Sequence, residues 1–230
     1  VGDGTPICGA IQLVDVVGNS ADPQGYGFSD GDPDVLARPL AGTLAPVPWS
    51  DGQRAQVLCA LVDESGAAPI WYEPRHILAQ VIRRFEEVDL HPVIALELEF
   101  HRIEQKRDKR GAPTLSPSPF SRRADRQGHP LSLSKLDEYE PILSAIRSAC
   151  RAQGLPVTSV ISENGAGQFE INLAHQSDPL KAADHAALLR RAVRATARQL
   201  GIDATFMSKP FIDKDGNGLH VHVSVLDAEG

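Results

Sequence analysis

Three short segments carry residues whose types and spacing could hold a metal. The first is Val93-Ile94-Ala95-Leu96-Glu97-Leu98-Glu99-Phe100. In an extended segment, side chains alternate between faces. Ile94, Leu96, Leu98 and Phe100 then share an apolar face, and Glu97 and Glu99 share the other. Two carboxylates so close repel unless a positive charge lies between them. A hard divalent cation meets that need. The plain alternative is an edge strand with one wet face.

The second segment runs from Glu163 to Leu173. Phe169, Ile171 and Leu173 point one way, and Gln168, Glu170 and Asn172 the other. Asn164-Gly165 is a turn signal that can fold Glu163 back toward Glu170. An ordinary polar hairpin would look the same. The third segment, Leu219 to Val225, sets Leu219, Val221, Val223 and Val225 against His220, His222 and Ser224. Imidazoles two apart on a strand can ligate metal or donate to phosphate oxygens. Asp213-Lys214-Asp215-Gly216-Asn217-Gly218 imitates the start of an EF-hand loop. Its twelfth position is Ser224 rather than Glu, and a strand follows it, so calcium sensing is rejected. The glycines there serve a close approach of backbone to ligand. Four carboxylates and two histidines on such faces suggest a two-metal site.

The elements that must position these groups follow from pattern. Residues 1–70 read as strands and turns, with Ile7 to Val17 β-prone and 18–34 a Gly-, Asp- and Pro-rich loop. Helical spacing of Ile77, Leu78, Val81, Ile82, Phe85 and Val88 predicts a helix from Pro74, ended by His91-Pro92. Arg102 to Gln127 reads as a long exposed loop. Its basic clusters, 106–110 and 122–123, are solvated or contact an anion. Lys135 to Gln153 is predicted helical, and Asp178 caps a helix reaching Leu200, with Leu189, Val193, Thr196 and Leu200 as its stripe and Gly201 after it. Strands are predicted over 157–162, 169–173, 202–211 and 219–226.

Composition narrows the class. The 230 residues are 42% apolar but only 5% aromatic, so aliphatic packing carries the core. A net charge of −7 argues against nucleic acid as a partner, since phosphate binding needs a basic face. Three scattered cysteines without a CxxC make a disulfide framework or thiolate metal site unexpected, and a reducing cytoplasm fits best. No apolar run is long enough for a transmembrane helix. The start lacks an initiator methionine, which suggests a longer natural sequence.

The three segments, in this order, resemble the motifs of the glutamine synthetase superfamily. Leu96-Glu97-Leu98-Glu99-Phe100 is similar to its first metal strand and Glu163 through Glu170 to its second motif. Thr205 to Pro210 followed by Gly216 to Ser224 resembles its ATP and glutamate motif. The likeness covers residues 70–228 well and the earlier part loosely. It implies an α+β protein, with residues 1–73 a truncated β-grasp-like domain and 74–230 the first half of a catalytic domain on a curved antiparallel sheet. It implies that Glu99, Glu163 and Glu170 hold one Mg²⁺ or Mn²⁺ and that Glu97 and His220 hold another. His222 and Ser224 would meet ATP, and Gly216 would meet substrate glutamate; Glu163 and Glu170 are the residues assigned to catalysis. The implied reaction joins L-glutamate to an amine through γ-glutamyl phosphate. The family's stacked rings imply a homo-oligomer.

Two departures qualify this. The stretch from Gly18 to Phe28 lacks the Asp-Gly-Ser-Ser-like pattern of ammonia-using members, and whether Asp22 replaces its aspartate is open. This stretch, like Gly167 to Leu173, resembles the γ-glutamyl-polyamine synthetase branch, so a larger amine is expected, with Tyr26 and Phe28 lining its channel or packing an interface. Family members also continue past the His-x-His strand to a further metal carboxylate and arginines. The 230 residues alone are therefore expected to be inactive. Ammonia-dependent glutamine synthetase and a non-catalytic structural or regulatory member are the alternatives.

Overall fold

A computed structural model describes residues 4–15, 17–21, 31, 34–50, 52–227 and 229. The chain forms two compact units, Val1–Leu44 with Ala55–Val88, and Ala45–Arg54 with Asp89–Gly230. Strands β1 (Thr5–Cys8) and β2 (Asp34–Pro39) belong to the first. Two-residue strands β3 (Ala45–Pro46) and β4 (Ala55–Gln56) fall one in each unit. The first unit then adds β5 (Cys59–Val62) and helix α1 (Pro74–Glu86). Its sheet is antiparallel, in the order β1-β2-β5. In the β-prone stretch from Ile7, pairing with β2 ends at Cys8, which faces Asp34; a 3₁₀ turn over Gly9–Gln12 follows, and Val14 then bridges Ser20. Helix α1 starts at Pro74 as expected, with the Glu73 carboxylate accepting from His76 N at 2.6 Å. Val88, the last member of the expected stripe, lies beyond the helix end.

The second unit is a five-stranded antiparallel sheet backed by two helices. Its elements are β6 (His91–Glu104), α2 (Leu133–Ala152), β7 (Val157–Ser162), β8 (Gln168–Leu173), α3 (Pro179–Gln199), β9 (Ile202–Thr205) and β10 (Leu219–Leu226). The strand order is β10-β6-β8-β7, with β9 also on β6. Strand β6 is longer than expected because it has successive partners. β10 pairs with 91–98, β8 with 97–101 and β9 with 101–104. The exposed-loop expectation therefore fails at its start: Arg102 pairs with Ala204 and is 2% exposed. The basic clusters at 106–110 and 122–123 are exposed.

Phe100, Phe169, Tyr139, Ile146, Leu189 and Val193 are buried in the core. Each such burial stabilises by roughly 1.5–3 kcal/mol. Asp178 caps α3 by accepting from Leu180 N and Lys181 N. Leu200 is the exception to the predicted stripe: it is the C-cap residue, turned outward and 51% exposed. Strand β9 ends at Thr205, short of the expected Phe211, and 206–218 is irregular. No helix among the described residues is long and apolar enough to cross a membrane.

Candidate metal centre

Sheet register brings the three segments together. On β10 and β6, His220 lies opposite Glu97; on β6 and β8, Glu99 lies opposite Glu170. Residues directly opposite in an antiparallel pair share a face, with Cβ atoms about 4.5–5.5 Å apart. Glu97 Oε2 lies 3.2 Å from His220 Nδ1 and 3.2 Å from His222 Nε2. Glu170 Oε2 lies 3.8 Å from the same His220 nitrogen. Glu97, Glu170 and His220 each offer a ligand atom, all within 4.8 Å of one another. Metal–oxygen bonds of roughly 2.0–2.6 Å fit a single ion among three such atoms.

Glu99 and Glu163 stand on the rim of this cluster, each anchored by backbone. Glu99 Oε2 accepts from Gln168 Nε2 at 2.7 Å and from Gly218 N at 2.9 Å. A Cβ on Gly218 would lie 2.8 Å from Glu99 Oε1 and 2.9 Å from His220 Nε2. Only glycine lets the turn approach both groups so closely. Glu163 follows β7, and its Oε2 accepts from Asn164 N at 3.1 Å. Its turn is braced from outside. Leu131 N donates to Ser162 O, and Gly128 approaches so closely that any Cβ would strike Asn164 O at 1.7 Å.

The charges are unevenly compensated. Hydrogen bonds from His222 and, more weakly, His220 hold the Glu97 carboxyl below the usual range, against the opposing effect of burial. Burial pushes Glu170 up, and the Glu97 and Glu163 carboxylates push it further. Glu163 is also raised, first by burial and then by the nearby Glu99 charge. Buried, mutually repelling carboxylates with an imidazole among them are a donor set that a hard divalent cation satisfies. The residues present therefore fit a metal of the Mg²⁺ or Mn²⁺ kind.

The remaining expected residues are placed as follows. His222 sits on the Glu97 carboxylate rather than apart from it. Ser224 lies farther along β10, opposite Val93, and is exposed. Gly216 O accepts from Gln168 Nε2 at 2.8 Å, beside the carboxylates. Asp22, Tyr26 and Phe28 lie outside the described residues. The apolar side chains of β10 are open: Leu219, Val221, Val223 and Val225 are 45–59% exposed. A broad groove of about 770 Å³ between Trp49 and Arg190, Arg191 and Arg194 of α3 is lined by none of the carboxylates. Sequence patterning missed His101, which is fully buried beside the site. Continuing the alternation of Glu97 and Glu99 by two residues would have found it.

Comparison with known proteins agrees with this geometry. Residues 71–230 match the family described as glutamine synthetase, catalytic domain. The gamma-glutamylputrescine synthetase of Escherichia coli (strain K12) is 34% identical over 223 residues, 96% of this chain and 47% of the relative. A glutamate–isopropylamine ligase of Pseudomonas is 31% identical over 232 residues, 99% of this chain and 49% of the relative. A solved structure titled "Apo GmaS without ligand" superposes with a TM-score of 0.76 at 27% identity, covering 99% of this chain and 48% of that one. The chain thus spans about half the length of the curated relatives it matches. With the carboxylate and histidine strands in place and the family match over most of its length, the chain belongs to the glutamine synthetase family.

Proposed function

We propose that the full-length protein is an ATP-dependent carbon–nitrogen ligase that forms a γ-glutamyl amide from L-glutamate and an organic amine. The observation that carries this is the cross-strand cluster of Glu97, Glu170 and His220 inside a glutamine synthetase catalytic domain. Glu99, Glu163 and Glu170 would hold a divalent ion on the glutamate and amine side, and Glu97 and His220 one on the ATP phosphate side. The bound ions, Mg²⁺ or Mn²⁺, would supply neutralisation of the phosphate and carboxylate charge.

The chain's own residues do the positioning. Gln168 and the Gly218 amide hold one Glu99 oxygen and leave the other for a ligand. His222 steadies Glu97 and, with Ser224, would face the nucleotide. Gly216 would present its backbone to substrate glutamate. Glutamate's γ-carboxylate accepts the terminal phosphoryl group of ATP, and the amine then displaces phosphate. Such transfers rest on positioning and charge stabilisation. A partial β-grasp-like domain over about residues 1–73, followed by the catalytic domain, is part of the proposal; the compact first unit differs from it in taking in helix α1 and leaving out 45–54. A homo-oligomer of stacked rings in the cytoplasm completes the proposal.

The named relatives act on putrescine and isopropylamine, which supports an organic amine as acceptor. Steady-state kcat/KM of the full-length protein with ammonium, putrescine, spermidine, ethanolamine and ethylamine tests it. A primary amine is expected to win. If ammonium beats every organic amine, the protein is an ordinary glutamine synthetase instead.

A further inference from the structure

Behind Glu99 lies a buried chain of polar side chains that none of the metal-site assignments includes. His101, Asn217 and Gln168 are 0%, 9% and 2% exposed. Their hydrogen bonds determine each other's orientation. The Asn217 amide nitrogen donates to Thr205 O at 3.1 Å and Met207 O at 2.9 Å, which uses both of its hydrogens. Asn217 Oδ1 is therefore an acceptor. It faces His101 Nδ1 at 2.8 Å and, at 3.2 Å, shares a hydrogen of Gln168 Nε2, whose two shorter bonds go to Glu99 and Gly216. His101 must then carry its proton on Nδ1. Its Nε2 is buried and has no hydrogen-bond partner among the described residues.

Gln168 passes the order forward. Its Oε1 accepts from Gly165 N at 2.7 Å, so its amide nitrogen faces Glu99 Oε2 at 2.7 Å and Gly216 O at 2.8 Å. The Gly218 amide holds the same Glu99 oxygen. Strand β6, the Glu163–Gln168 turn and the Gly216–Gly218 turn are thus tied at one point. That point is two hydrogen bonds from His101.

Resting on the ligase function proposed above, we infer that His101 is a positioning residue for the metal centre. Its Nδ1–H orients Asn217, and through Asn217 and Gln168 it keeps Glu99 turned with one oxygen toward the ion. An arrangement of this kind resembles the outer groups of metal sites, whose loss typically costs about 10–100-fold in metal affinity or activity.

The test uses two variants of the full-length protein. His101→Phe keeps a ring against Phe211, whose centroid lies 5.5 Å away, but removes the donor. His101→Asn is smaller yet places an amide N–H near the Nδ1 position. Mn²⁺ affinity, followed by the ion's paramagnetic signal, should fall about 10–100-fold in His101→Phe. His101→Asn should stay within a few-fold of wild type, and kcat should follow affinity, with KM for the amine unchanged. Equal losses in both variants would mean that the ring only fills space, and unchanged affinity in His101→Phe would also overturn the inference. Wild-type protein and Glu97→Ala, titrated alongside, keep the two proposals apart. Wild type should bind Mn²⁺, and Glu97→Ala should lose the ion assigned to Glu97 and His220 while keeping the one that Glu99 helps to hold. Wild-type protein that binds no Mn²⁺ overturns the ligase function, and this inference with it.

Discussion

On the helix-covered face of β6, Arg102 lies under the Tyr139 ring, its guanidinium carbon 3.6 Å from the centroid. Around it, Lys135 bridges Asp125 at 2.8 Å and Glu138 at 2.7 Å. Tyr139 donates to Asp125 at 2.7 Å, and Ser118 donates to Glu138. On the opposite face of the same strand, Glu97 and Glu99 stand with Glu163 and Glu170, met by two histidines and by the neutral donors of Gln168, Gly218 and Asn164. One cluster closes its charges within the protein. The other leaves negative charge uncompensated. A carboxylate paired inside the fold contributes stability, and a carboxylate left to repel its neighbours costs stability and gains a use only when a cation arrives. The first cluster is therefore a latch and the second a candidate site.

The largest effect should come from breaking the site. In the full-length protein, Glu163→Ala should lower ligation by at least about 10²–10³, the usual loss for one charge-stabilising group. Circular dichroism should be unchanged, because Glu163 sits on a turn held by backbone hydrogen bonds. Unfolding of the variant would assign Glu163 to the latch category and remove it from the metal centre.

Breaking the latch should do the reverse. Asp125→Ala takes the acceptor from Tyr139, one partner from Lys135 and the nearest carboxylate from Arg102. Removing one member of a largely buried charge group costs about 3 kcal/mol. Urea unfolding should show that loss, while Mn²⁺ affinity stays within a few-fold. A large fall in affinity at unchanged stability would show that the two faces are one functional unit.

The two clusters also differ in how readily the sequence shows them. Glu97, Glu99, Glu170, His220 and His222 were legible because each alternates with a run of apolar residues, and alternation is a local property; Glu163 was reached through the Asn164-Gly165 turn signal. Helices α1, α2 and α3 were legible for the same reason, through start signals such as Pro74 and Asp178 and inward stripes such as Leu189 and Val193. The latch was not legible. Arg102 and Asp125 belong to a polar stretch that reads as a solvated loop, and their burial depends on α2, which brings Tyr139 and Lys135 to them. His101 was hidden in the same way, since its partner Asn217 is 116 residues away. The openness of β10 was also out of reach, because alternation tells which side chains share a face and not whether anything covers it.

The smallest effect concerns pH, and its sign differs between the clusters. Glu163 and Glu170 are raised above the ordinary carboxylate value of 4.5, by burial first and then by neighbouring carboxylates. Between 4.5 and the raised values, the folded protein holds protons that the unfolded chain has released. Stability of the metal-free protein should therefore fall as pH rises through that window. Asp125 behaves oppositely. Burial works to raise it, but Lys135 and Tyr139 outweigh burial and hold it below 3.8. Its contribution is present above 3.8 and is lost as pH falls through the lower folded value. The decline due to Glu163 and Glu170 runs against His101 and His185, which burial lowers and which therefore add stability as pH rises toward 6.5. Saturating Mg²⁺ should flatten that decline, because the ion replaces the proton as the neutralising charge. Glu170→Gln should flatten it in part without metal, since its amide cannot ionise. Urea midpoints from pH 4 to 8, with and without Mg²⁺, give all three comparisons. Identical pH profiles for metal-free wild type and Glu170→Gln would mean that these carboxylates are already compensated, and the distinction between latch and site would fail.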